Sequence, residues 1–164
     1  MRLTRTDSFG APVERVERAM LEPEYQKLLE NLPKVAEREV RERAEGPDGT
    51  VKQVVYYRFA GSLSPAVQAA IGGSSISWDE VSVFDPRRHE LRIEIKPHVL
   101  REKFTCRGAY VFVEEGAGTR RDLQLDLEVR VLFVGSAVEG AIGKGLQQTL
   151  DHEARILSDY LAGS

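Results

Sequence analysis

Three polar side chains stand where a strand pattern would turn them inward. Arg38 shares a phase with Val40 in KVAEREVRERAEG, as does Glu42. Glu80 shares a phase with Ile76 and Trp78 in ISWDEVSVF, and His98 follows Pro97 at the end of ELRIEIKP. A carboxylate or guanidinium inside an apolar cavity is costly unless it is paired or used on a ligand. In such a place it can also take or give a proton with a shifted pKa, which is what acid–base catalysis on a bound carbonyl compound requires. Glu80, Arg38 and His98 are the residues to check for that chemistry. The competing reading is a phase slip at a bulge, which leaves them solvated. Around them the aromatics Tyr57, Phe59, Trp78, Phe104, Tyr110 and Phe112 fall at strand phases that suit a cavity wall. Such rings offer large contact area, and Tyr and Trp add one polar handle each. Plain core filling is the alternative for each ring.

Other chemistry is excluded by spacing. His89, His98 and His152 form no metal-ligand pattern, so no metal is expected. The single cysteine, Cys106, has no partner for a disulfide and no sequence-local base; a strand core suits it. GSAVEG is not the G-x-S-x-G of a nucleophile elbow. The glycines from Gly135 to Gly145 follow a strand and open a helix, but Ala141 stands where a phosphate loop needs lysine. Close packing is the expected reason for Gly140, Gly143 and Gly145. No catalytic residue and no cofactor are assigned.

The chain has 164 residues, 41% hydrophobic and 30% charged, which fits one soluble globular domain over 1–164. A net charge of −3 argues against general nucleic-acid binding, which needs a concentrated basic surface. The opening MRLTRTDSFGAPVERVERAM holds no apolar core of secretory-signal type. No apolar run approaches the roughly 20 residues of a membrane span. A cytoplasmic location, with no integral membrane segment, is therefore expected.

The elements that must position these residues follow from periodicity. Residues 2–9 read as a strand; Pro12 opens a helix through VERVERAML, and EPEYQKLLENL makes a second short one. Residues 34–60 read as a hairpin turned at Gly46-Pro47-Asp48-Gly49. GSLSPAVQAAIGGSS, bounded by glycines, reads as a connector with a turn or two of helix and is predicted to be a mobile lid. Strands resume in ISWDEVSVF, ELRIEIKP and KFTCRGAYVFVEE. The strict alternation of LQLDLEVRVLF predicts a strand with Leu123, Leu125, Leu127, Val129, Val131 and Phe133 on its buried face. After Gly135 the period becomes helical, with Val138, Ile142, Leu146, Leu150, Leu157 and Leu161 in one apolar stripe.

Strand, two short helices, six strands, long helix is the element order of the START-like, or SRPBCC, superfamily. The phrase FGAPVERVERAMLEPEYQKLLENLP resembles that superfamily's opening. LSPAVQAAIGGSSISWDE, VGSAVEGAIGKGL and the terminal LSDYL resemble a bacterial subgroup known as a domain of unknown function. The resemblance covers essentially the whole chain. It implies an α+β helix-grip fold: a seven-stranded curved antiparallel sheet around a long C-terminal helix. A pocket between them would be lined by the six aromatics with Leu125, Ile142 and Leu146. It also implies a hydrophobic small molecule or lipid as partner. Because no acid–base pair is evident, a non-catalytic binder leads. A polyketide cyclase/dehydratase-like enzyme and a protein-interaction module are the alternatives.

Overall fold

The structure, a computed structural model, describes residues 1–163. Strand β1 (Arg2–Phe9) is followed by helices α1 (Val13–Leu21) and α2 (Pro23–Leu28), the latter extended by one 3-10 turn. Strands β2 (Val35–Glu45) and β3 (Val51–Phe59) form a hairpin, and α3 (Pro65–Ala70) bridges to β4 (Ser77–Asp85). Strands β5 (Glu90–Pro97), β6 (Phe104–Glu115) and β7 (Gly118–Val129) complete the sheet, and α4 (Gly135–Ala162) ends the chain. All pairings are antiparallel, in the order β1-β7-β6-β5-β4-β3-β2.

Alternation decides which face is covered. In β7, Leu123, Leu125, Leu127 and Val129 are buried while Gln124, Asp126 and Glu128 are exposed. Helix α4 packs on that face over β7 and β1, and touches α1 and α2. Its buried side chains include Val138, Leu150 and Leu157, on the predicted stripe. At the α1 end, the cross-strand row Val51–Phe84–Leu91–Tyr110–Leu123 is buried throughout. The edge strand β2 carries alternating charge, VAEREVRERAE, and is mostly exposed. An edge built this way discourages pairing with another sheet.

Two expectations are corrected. Strand β7 stops at Val129, where it pairs with Phe104, so the chain leaves the ladder before Phe133. Without a partner strand the alternation no longer dictates burial, and Leu132 and Phe133 are 84% and 103% exposed. Close packing accounts for only one of the three helix glycines. A Cβ on Gly143 would lie 2.5 Å from Met1 Cε, whereas nothing lies within 4 Å of one on Gly140 or Gly145.

Candidate functional site

Strand pairing places Glu80 in the middle of the concave face. The row reads Val55–Glu80–Ile95–Cys106–Leu127, four apolar neighbours around one carboxylate. Among the described residues Glu80 makes no hydrogen bond or ion pair, and its side chain is half-buried. The protein surrounds it closely enough that loss of water raises its pKa above the usual glutamate range. The positive field of Arg38 opposes this, and that of Glu153 adds to it. The same environment pushes the buried Cys106 thiol up to about 11, through burial first and then the Glu80 charge.

Arg38 is turned inward and buried; its Nε donates to the Tyr57 hydroxyl at 3.0 Å, and its Nη1 to the Gln26 carbonyl at 2.9 Å. The Tyr57 ring stacks on Trp78, centroids 5.3 Å apart and planes 7° apart. Burial, then the Glu80 charge, raises the Tyr57 phenol against the pull of Arg38. Arg38, Tyr57 and Trp78 thus form one layered group beside Glu80. Glu42, by contrast, is exposed, because β2 shifts register between Val40 and Glu42. The bulge that would solvate a charge acts on Glu42 and spares Arg38.

His98 stands at the same end of the sheet but on the convex side. Its Nε2 meets Asp79 Oδ2 at 2.9 Å, its Nδ1 meets Ser77 Oγ at 2.9 Å, and its ring stacks on Tyr56. Ser77 and Asp79 alternate with the inward Trp78 and Glu80, so this staple joins the ends of β4 and β5 outside the concave face.

The remaining candidates divide by depth. Tyr110, Phe112 and Leu125 are buried in the core. Phe59, Trp78, Phe104, Ile142 and Leu146 are only partly covered, although they belong to the inner faces of sheet and helix, and Ile95, not expected from sequence, joins them. They lie toward the α3 end of the sheet, where the main contacts of α4 are with β7 and β1. Inner-face apolar side chains are thus left partly accessible at that end, with Glu80 half-buried and Tyr57 buried beside them. Two open clefts elsewhere, of about 320 Å³ between β1 and α4 and about 540 Å³ beside Met1 and Glu128, touch none of these residues.

A second polar group was not singled out from sequence. Arg121, fully buried, donates to Glu153 at 3.0 and 2.8 Å and to Asp7 at 2.8 Å. Its guanidinium lies between the Phe9 and Tyr110 rings, 5.0 and 4.6 Å from their centroids. Tyr25 donates to Glu153 at 2.6 Å. Burial disfavours the Arg121 charge most strongly as a single influence, but Glu153, Tyr110 and Asp7 together raise its pKa. This group ties α2, β1 and β7 to α4. Phase held the signal: Arg121 is two residues before Leu123, and Glu153 lies between Leu150 and Leu157 on the apolar stripe.

A curved antiparallel sheet closed by one long C-terminal helix is the helix-grip fold of START-like proteins. The chain belongs to the family described as protein of unknown function DUF2505, whose model matches residues 4–161. Protein TTHA0849 from Thermus thermophilus shares the fold with a TM-score of 0.71 at 22% identity, covering 99% of this chain and 98% of that one. The Zhui aromatase/cyclase from a Streptomyces species gives 0.60 at 15% identity over 99% and 92% of the two chains. A START superfamily protein from Mycobacterium smegmatis gives 0.59 at 16% over 99% and 97%. At these identities the likeness is one of fold. No curated protein matches the chain.

Proposed function

We propose that this protein binds a hydrophobic small molecule or lipid in the recess between the concave face and the N-terminal half of α4. One observation carries the reading. Apolar side chains on the inner faces, Trp78, Ile95, Phe104, Ile142 and Leu146, are left partly accessible where a finished core would cover them. Burying about 300 Å² of apolar ligand surface contributes about 7 kcal/mol before association costs, enough for useful affinity without a catalytic group. Tyr57, Arg38 and Glu80 would orient a polar end of the ligand. Titration with a fluorescent fatty acid should show saturable binding in the wild type. Trp78→Glu should weaken it while the circular-dichroism spectrum is retained. Absence of both binding and a thermal shift across a lipid panel would refute the proposal.

Glu80 favours a second reading. An unpaired carboxyl with a raised pKa beside a phenol is a proton donor in waiting. Cyclase/dehydratase chemistry on a carbonyl compound would use it. Turnover of a polyketide-like substrate by the wild type, lost in Glu80→Gln, is the required result.

A further inference from the structure

The end of the molecule where the binding recess is proposed also carries its most exposed apolar side chains. Leu132 and Phe133, in the turn between β7 and α4, are 84% and 103% exposed. Phe133 has φ +67°, a left-handed conformation that a bulky residue adopts only under constraint. The β5–β6 loop lies beside it, joined by the Arg130 amide donating to the Lys103 carbonyl at 2.7 Å. That loop has its own left-handed residue, Leu100, at φ +56°. Leu100 is itself only partly exposed, so it is the Leu132–Phe133 turn that holds large apolar side chains outward, against the gain that burying them would bring.

The charges around these turns are mainly positive. Arg101, Lys103 and Arg130 are exposed on the same two loops, and Lys34 is exposed across the recess, where its carbonyl accepts from the Ala60 amide. Arg101, Lys103 and Lys34 have no ion-pair partner among the described residues; Arg130 lies 4.0 Å from Glu128. The opposing carboxylates are Glu102 and Glu128, because Glu139 is occupied by the Val129 amide and the Met1 ammonium. This local excess of positive charge stands on a chain of net charge −3. Apolar tips ringed by unpaired cations complement an anionic bilayer surface, where the tips enter the acyl boundary and the cations meet phosphate oxygens.

We infer that the Leu132–Phe133 turn and the Arg101–Lys103 loop form a docking surface for anionic phospholipid membranes, which would bring the mouth of the recess against the bilayer. The inference deepens the binding function proposed above, and its test separates the two. The full chain is sedimented with vesicles of phosphatidylcholine alone and of phosphatidylcholine mixed with phosphatidylglycerol. Binding should require the anionic lipid and weaken with salt. The double variant Leu132→Ser, Phe133→Ser should lose about ten-fold or more in partitioning. Arg101→Glu with Lys103→Glu should lose at least about ten-fold. Both variants should still bind the fluorescent fatty acid in solution, because these side chains lie outside the recess. Failure of the wild type to bind anionic vesicles overturns the docking surface, as does equal binding by the serine variant. A wild-type dimer that Leu132→Ser, Phe133→Ser dissociates, without vesicle binding, also overturns it and assigns the turn to a second copy of the chain. Loss of fatty-acid binding by the wild type would instead refute the function proposed for the recess.

Discussion

Replacing Glu153 by leucine should test the clamp that holds α4 to the sheet. The Glu153 carboxylate receives two bonds from Arg121 and one from Tyr25, and all three side chains are buried. Breaking one side of a buried ion pair typically costs about 3–5 kcal/mol, because the other charge is left without compensation. Arg121 keeps Asp7 at 2.8 Å, which places the electrostatic loss near the lower end, about 3 kcal/mol. The unmatched Tyr25 hydroxyl adds about 1 kcal/mol. For a chain of this size, a total of about 4 kcal/mol corresponds to a fall in Tm on the order of 10 °C. Urea titration of the wild type, Glu153→Leu, Arg121→Met and the double variant forms a cycle. The double variant removes both charges and leaves Asp7 paired with Arg5 at 2.6 Å, so it should be more stable than Glu153→Leu alone. A single-variant cost below about 1 kcal/mol, as for an exposed pair, would refute the reasoning. Simple additivity across the cycle would do so too.

Glu80→Gln should raise stability at neutral pH. A carboxyl whose folded pKa is raised disfavours folding once it is ionised, so the variant's advantage should fade as pH falls to the ordinary carboxylate range. Asp7 has the opposite sign. Burial would raise its pKa, but the hydrogen bonds from Arg5 and Arg121 outweigh that, so its stabilisation should disappear as pH falls through its lowered folded value. Urea midpoints measured from pH 8 down to about pH 2 check both, Glu80 in the upper part of the range and Asp7 below about pH 4. Gly140→Ala and Gly145→Ala should each stabilise by up to about 1 kcal/mol, since both positions are helical and have room for a Cβ. Gly143→Ala should gain less, because the new methyl must displace the Met1 side chain; thermal melts of the three variants give the order.

How far the sequence was legible depends on what enforced each pattern. The alternation of Leu123, Leu125 and Leu127 predicted a buried face because β1 and β6 flank β7 on both sides. The same alternation failed at Phe133, four residues past the end of the ladder. Glu80 was legible by its phase with Trp78. Arg38 was legible by phase too, but its bond to Tyr57 depends on register across a hairpin. His98 was placed near the recess by its position after Pro97; its partners Ser77 and Asp79 lie on the opposite face, which local periodicity cannot report. Arg121 and Glu153 are 32 residues apart, and their pairing follows only from the path of α4 over β7. Their polarity conceals them in a search for apolar stripes.

The pairing of β1 with β7 has a kinetic consequence. Leu3 lies opposite Leu125, so the first strand has no partner until nearly four-fifths of the chain has been synthesised. Until then the growing sheet is open on its β6 edge, and α1 and α2 have neither β7 nor α4 to cover their buried sides. A closing contact of such sequence separation adds loop-closure entropy to the barrier and places this topology among slower-folding domains. Until Gly118–Val129 is made, β1 and the β6 edge stay unpaired, and exposed strand edges of this kind favour aggregation of the nascent chain.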